Sequence, residues 1–155
     1  MIRKDIAFSL LCVLSCRIVS SLAFVFEDCG SEIGKFNEIS ISSCDLSEEK
    51  CSIIRDSNIH LSLKFTPSVD VSKIEARAFG ILANVPVPFP LEKPDVCNDA
   101  NSGINCPLKK DQEVEYKATF FVEKTIPALS LEVMWEFRNE KDEKIICVKY
   151  PVKIK

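Results

Sequence analysis

Alternation of apolar and polar residues with a period of two is the pattern that most constrains the fold of this chain. The segment from Asn58 to Phe65 carries an apolar side chain at every second position and a polar one between each pair. The same alternation runs through residues 113–122, 131–138 and 148–155. Because successive side chains of a strand point to opposite faces, each segment predicts a strand that buries one face.

Weaker strand patterns occur around residues 24–27, 36–43 and 73–82, which brings the expected total to about seven strands. No segment keeps the 3.6-residue period of an amphipathic helix. The 155 residues suffice for one well-buried domain but hardly for two. The sequence therefore predicts an all-β fold, an immunoglobulin-like β-sandwich of about seven antiparallel strands.

The N-terminus has the pattern of a secretory signal peptide. Arg3 and Lys4 precede an apolar stretch that is too short to span a bilayer, and small residues stand before a cleavage site after Ala23. We expect residues 1–23 to be removed, which leaves one mature domain of residues 24–155. The expected location is extracellular.

The number of cysteines supports an oxidising compartment. Two of the eight lie in the predicted signal peptide, so six remain in the mature chain, and six cysteines permit fifteen pairings. Spacing favours two local loops and one long-range link: Cys44–Cys51, Cys97–Cys106 and Cys29–Cys147. A zinc site is the competing use of these residues, but the chain has no C-x2-C spacing and a single histidine, His60.

The charge of the chain argues against nucleic acid as a partner. The formal net charge is −3, and no run of basic residues could neutralise a row of phosphates.

A proline-rich apolar segment, Val85–Pro90, stands out from the rest of the sequence. Prolines at every second position remove backbone donors, so we expect an extended, polyproline-like arm that makes no ladder hydrogen bonds. Its apolar residues, Val85, Val87 and Phe89, would form an aggregation-prone apolar patch if they were fully exposed. Two interpretations remain open: the arm plugs the core at a sandwich corner, or it forms the rim of an apolar cavity.

Four motifs of the sequence are Glu27–Ser31, Val85–Pro90, Ser102–Pro107 and Glu132-x-x-Trp135. Together they resemble the secreted Niemann-Pick type C-two sterol-carrier proteins, which belong to the ML (lipid-recognition) domain family. The match spans residues 24–155 and keeps the six mature cysteines in order.

The resemblance implies splayed sheets with a lipid pocket between them, and it implies the same three disulfides that spacing favours. Phe89 and Val122 match two residues that form the pocket mouth in the sterol carriers. Ile126, before Pro127, stands where those carriers have tyrosine, and this departure makes the mouth more aliphatic and weakens the case for cholesterol itself. The residues expected to line the pocket are Leu61, Leu63, Phe65, Val87, Phe89, Phe120, Val122, Ile126, Val133 and Trp135, although a solid core is the alternative for the inward-facing ones.

The function that follows is a secreted soluble carrier that reversibly binds a fatty acid, a sterol or a similar small apolar lipid. We expect the protein to be a monomer without cofactor or metal. It would pass its ligand to a membrane or a receptor. Lysosomal cholesterol transfer is one alternative, but its glycan-based sorting needs an Asn-x-Ser/Thr sequence, and the chain has none. Recognition of microbial lipids in innate immunity is another.

Catalysis is the alternative from a different class of function. Serine or cysteine nucleophiles would have to use His60, which the alternation places on an outer strand face, and the spacing argument gives each mature cysteine an expected disulfide partner. We therefore expect that the chain is not an enzyme.

Overall fold

The structure is a computed structural model that describes residues 25–155, so the predicted signal peptide lies outside the described residues. These residues form nine strands and one short 3-10 turn at Val96–Asn98. The strands are β1 (Glu27–Asp28), β2 (Gly34–Ile41), β3 (Cys51–Ile53), β4 (Ser57–Pro67), β5 (Glu75–Leu82), β6 (Val85–Phe89), β7 (Val114–Val122), β8 (Ser130–Arg138) and β9 (Lys144–Ile154).

The strands form two sheets that pack face to face. Sheet A contains six strands, in the order β1-β9-β8-β5-β6 with β3 added beside β9, and sheet B contains β2, β4 and β7 in that order. Neighbouring strands pair antiparallel, with the exception of β3, which runs parallel to β9. The all-β sandwich predicted from the alternation is therefore confirmed, with nine strands in residues 25–155 where about seven were expected.

The core lies between the sheets and is largely aromatic. Phe65 of sheet B packs against Phe137 of sheet A with 5.3 Å between ring centroids, and Tyr116 packs against the same ring at 4.9 Å. Phe65 and Phe137 have no exposed surface. Burial of such a side chain contributes about 1.5–3 kcal/mol, so this cluster is a main contact holding the two sheets together.

Strand β6 corrects the expectation for the proline-rich segment. The segment is extended, as predicted, but it pairs antiparallel with β5 as the edge strand of sheet A, with Val87 opposite Gly80. Successive N–H groups of a strand point to opposite sides, so Pro86 and Pro88 remove donors from one side only. The backbone nitrogens of both prolines therefore lie on the side of β6 away from β5. The other side can still pair, so the expectation that the segment makes no ladder bonds was wrong.

Strand β9 begins at Lys144, four residues before the predicted start at Val148. Residues 145–148 are all buried, so this part of the strand is apolar on both faces and carries no alternation.

Three disulfides join the strands and loops: Cys29–Cys147, Cys44–Cys51 and Cys97–Cys106. The first spans 118 residues and fixes the chain after β1 to the interior strand β9. The other two span seven and nine residues and close local loops.

Within residues 25–155 there is no helix with the length and apolar character needed to cross a membrane.

Candidate functional site

Nine of the ten predicted site residues lie on the two inner faces of the sandwich, and Ile126 lies in the loop between β7 and β8. In sheet A, Val87 on β6 and Val133 on β8 flank Gly80 on β5, so all three share one face. In sheet B, Leu61 on β4 pairs with Ala118 on β7. The strand register thus brings residues that are distant in sequence to a common interior.

The ten predicted residues differ greatly in their exposure. Five of them are buried: Leu61, Leu63, Phe65, Val122 and Trp135. Three are partly buried: Phe120, Ile126 and Val133. Val87 and Phe89 are exposed at 47% and 46% of their surface. The ten predicted residues therefore extend from the closed core of the sandwich to an exposed edge.

The open edge arises because the two sheets differ in width. Sheet A has six strands and ends at β6, whereas sheet B has three and ends at β7. The inner face of β6 extends past sheet B, which leaves Val85, Val87 and Phe89 exposed. Gly80, beside Val87, adds no side chain to this face. The result is an apolar shelf on sheet A that has no strand of sheet B over it.

A cavity of about 870 Å³ runs from the segment Phe89–Lys93 past strand β7 and across the outer face of sheet B, so only part of this volume lies beside the inner faces of the sheets. The apolar and aromatic residues in its lining are Leu61, Phe89, Pro90, Leu91, Tyr116, Ala118, Phe120 and Phe121. Three of the predicted residues, Leu61, Phe89 and Phe120, are in this lining, and the other seven are not.

The cavity continues around the edge of β7 onto the outer face of sheet B. The lining there includes His60, Thr119 and Phe121, which lie on the opposite side of sheet B from Leu61 and Phe120. The inner part is therefore apolar and the outer part mostly polar.

Charged groups stand at the rim of the cavity. Lys93 Nζ lies 3.1 Å from Asp99 Oδ1, and the backbone N–H of Asn101 donates to the same oxygen at 3.1 Å. The hydrogen bond from Asn101 and the charge of Lys93 hold the pKa of Asp99 below its usual value, against the opposing effect of burial. Asp99 is therefore ionised and paired at neutral pH.

Tyr116 is a buried lining residue of the cavity, and its hydroxyl is neutral. Burial, with a further contribution from the charge of Asp99, raises the pKa of Tyr116 to about 12. The phenol therefore stays protonated at physiological pH.

The sequence analysis missed Tyr116, Ala118 and Leu91 as lining residues. Tyr116 and Ala118 lie on the predicted inward face of β7, so the alternation placed them correctly but gave no reason to separate cavity from core. Leu91 follows the proline-rich segment, and its apolar character was the available indication.

The described residues offer little for catalysis. The exposed ring of His60 forms a hydrogen bond between Nδ1 and Thr119 Oγ1 at 3.0 Å, on the outer face of sheet B. The six cysteines of residues 25–155 are all in disulfides. No group of three or more histidine, cysteine or acidic side chains in that part of the chain could hold a metal ion.

Fold and site together define a class of small disulfide-bonded β-sandwich with an apolar opening between its sheets. The family model of the ML domain matches residues 23–154, and the chain belongs to that family. The resemblance noted from the motifs is thereby confirmed. ML-domain proteins of this kind are lipid-binding carriers and not enzymes, as expected.

Three comparisons illustrate the relationship. The chain is 35% identical over 144 residues to the NPC intracellular cholesterol transporter 2 homolog a of Drosophila melanogaster, a match that covers 92% of this chain and 96% of the relative. The crystal structure of a Niemann-Pick type C2 protein from the Japanese carpenter ant is 75% identical, with a TM-score of 0.84, and the match covers 85% of this chain and all of that one. Chicken MD-1, crystallised with lipid IVa, shares the fold at 14% identity and a TM-score of 0.51, with coverage of 84% and 97%.

Proposed function

We propose that this protein is an extracellular carrier that reversibly binds one fatty acid, sterol or similar small apolar lipid between its two sheets. The observation that carries the proposal is the apolar shelf of Val85, Val87 and Phe89, which adjoins through Phe89 the apolar inner part of the cavity. Isolated exposed apolar residues are common on proteins, but a contiguous apolar surface next to a cavity is typical of a ligand site.

In this proposal the ten predicted residues have two roles. Phe89, Val87, Phe120, Val122 and Ile126 contact the lipid near the mouth. The deeper residues, Leu61, Leu63, Phe65, Val133 and Trp135, form the floor against which its apolar end rests.

Hydrophobic burial supplies the binding free energy. Each buried methylene contributes about 0.8 kcal/mol, so about twelve of them give on the order of 10 kcal/mol. Loss of translational and rotational freedom and ordering of the acyl chain reduce this considerably. The expected affinity is micromolar or somewhat tighter, which is compatible with release of the lipid to a receptor or a membrane.

The proposed setting is extracellular. The fruit-fly relative is named as an intracellular cholesterol transporter, which favours a lysosomal role. That route relies on a phosphorylated N-glycan, however, and the chain contains no Asn-x-Ser/Thr sequence. Three disulfides and the N-terminal signal pattern fit secretion.

Titration with a fluorescent fatty acid, followed by displacement with unlabelled fatty acid or sterol, tests the proposal. We expect saturable binding of one probe per chain at micromolar concentration, and displacement by at least one of the two lipid classes. Absence of saturable binding for both classes would contradict a lipid carrier.

A further inference from the structure

The side chain of Trp135 carries a buried hydrogen-bond donor without a partner. Trp135 is the only tryptophan of the chain and is 4% exposed. Its indole Nε1 is buried, and no atom of residues 25–155 accepts a hydrogen bond from it. Buried polar groups in folded proteins are almost always paired, so an unpaired donor in the interior needs an explanation.

The surroundings of the indole are aromatic. Its ring centroid lies 5.4 Å from that of Phe120, 6.1 Å from that of Tyr116 and 6.4 Å from that of Phe137. The face of an aromatic ring is only a weak acceptor compared with an oxygen atom. These neighbours therefore leave the donor largely unsatisfied.

The indole ring of Trp135 lies close to the cavity. Phe120 and Tyr116, which contact the indole, both belong to the cavity lining. Trp135 is thus one side chain behind the cavity wall, on the inner face of sheet A. A bound molecule that displaced the Phe120 ring would contact the indole.

The charge of the interior restricts what could accept this hydrogen bond. Among the described residues, the buried polar and charged side chains are Ser102 and Glu136. Glu136 neighbours Trp135 in sequence on β8, so it lies on the outer face of sheet A, where it pairs with Arg138 at 2.8 Å. Residues 25–155 contain no buried cation that could balance an anion beside Trp135, and burial of an unpaired charge is very unfavourable.

We propose that Trp135 Nε1 donates a hydrogen bond to a neutral oxygen of the bound lipid, such as a hydroxyl, ester or ketone oxygen. This inference rests on the proposed function and specifies the ligand class: an oxygenated apolar lipid that places its neutral oxygen inside the sandwich. Trp135 then selects such lipids over pure hydrocarbons, and it excludes a lipid that enters with an ionised carboxylate first.

A double comparison of two ligands and two proteins tests this role. The ligands are n-tetradecanol and pentadecane, which have the same number of heavy atoms and differ in one oxygen. The proteins are the unmodified chain and Trp135→Phe, and affinity is measured by displacement of a fluorescent apolar probe. Any change in pocket shape affects both ligands, so the ratio of their affinities isolates the hydrogen bond.

We expect Trp135→Phe to weaken n-tetradecanol binding on the order of fivefold relative to its effect on pentadecane, as loss of one hydrogen bond predicts. In the unmodified chain, n-tetradecanol should also shift the fluorescence of Trp135 to longer wavelength, and pentadecane should not.

A second variant covers the case in which Trp135→Phe does not fold. Replacement of the indole by a benzothiophene ring keeps the shape and removes the N–H, and it should give the same fivefold change in the affinity ratio. An unchanged ratio would overturn the role of Trp135 while leaving the carrier intact. Failure of both ligands to displace the probe from any of the proteins would instead contradict the carrier itself and this inference with it.

Discussion

Phe89 and Phe121 are exposed to nearly the same extent, at 46% and 50%, but they lie on different faces of the sandwich. Phe89 belongs to the apolar shelf on the inner face of sheet A. Phe121 lies on the outer face of sheet B, in the polar part of the cavity. Substitutions at these two residues therefore distinguish a lipid site between the sheets from a lipid site on the outer surface.

We expect Phe89→Ala to weaken binding of a fluorescent fatty acid at least several-fold, because the ring supplies a large part of the exposed apolar contact. The midpoint of thermal unfolding should change little, since the ring is half exposed. Phe121→Ala is the matched control and should bind the probe like the unmodified chain. Equal affinities for Phe89→Ala and the unmodified chain, or a larger loss in Phe121→Ala, would place the lipid elsewhere.

The two tyrosines of the chain, Tyr116 and Tyr150, are both buried and give a prediction for alkaline pH. Burial raises the pKa of Tyr116 to about 12, with a contribution from Asp99, and burial also raises the pKa of Tyr150. The unfolded chain therefore releases these protons at a lower pH than the folded chain does, and stability is lost as the pH rises from about 10 towards about 12.

Ultraviolet absorbance of tyrosinate measures this effect. Little ionisation is expected at about pH 10 in the folded protein, and most of it should accompany unfolding at higher pH. Tyr116→Phe should make the unfolding free energy less sensitive to pH in this range. Reversible ionisation of both tyrosines near pH 10 in the folded chain would show that they are not buried.

At the scale of elements, strand β6 combines a sheet edge with an apolar face. Its pairing with β5 leaves Pro86 and Pro88 on the free edge, where they remove the backbone donors that another strand would need. An exposed apolar edge strand is otherwise prone to pair with a second copy. We infer that the prolines prevent another strand from pairing with the free edge of β6, while the apolar face of β6 stays accessible to lipid.

Restoring these donors should promote self-association. We expect the double variant Pro86→Val, Pro88→Val to form larger species than the unmodified chain does at the same concentration. Pro90→Val, just beyond the end of β6, is the control and should behave like the unmodified chain. Analytical ultracentrifugation measures the outcome, and a monomeric double variant would remove the proposed role of the prolines.

Much of the fold could be predicted from the sequence, because long strands with one buried face impose a period of two. Strands β4, β7 and β8 were found in this way. Strand β3 has three residues, too few for any period, and it pairs with the distant strand β9. Strand β6 was misjudged because proline was treated as a bar to pairing on both sides of the strand.

The site was harder to predict than the fold. Alternation shows which side chains face inward, but it does not show where the two sheets stop covering one another. The width of sheet A relative to sheet B decides that, and width depends on which strands pair. The burial of Glu136 was likewise not predictable, since it depends on Arg138 and Lys144 folding over the outer face of sheet A.

At the scale of the whole molecule, a sandwich that is open along one edge gives up packing contacts that a closed sandwich would have. The Cys29–Cys147 disulfide offsets part of this loss, since it links residues 118 positions apart and restricts the unfolded chain. The Cys44–Cys51 and Cys97–Cys106 disulfides close short loops and restrict it less.

Removal of individual disulfides should therefore have unequal effects. Replacement of Cys29 and Cys147 by alanine should lower the unfolding free energy by about 5 kcal/mol, and replacement of Cys44 and Cys51 by about 2.5 kcal/mol, on chain entropy alone. Urea denaturation of the two double variants measures the difference. Equal losses, or a larger loss for Cys44 and Cys51, would show that loop length does not govern the stabilisation.

The central claim is that the space between the sheets holds a lipid, and native mass spectrometry of protein secreted by insect cells tests it most directly. We predict a species whose mass equals the folded chain plus one fatty acid, sterol or similar small apolar lipid, and this ligand should exchange for an added lipid of the same class. A spectrum that shows only the ligand-free chain, both as purified and after incubation with fatty acids and sterols, would contradict the account.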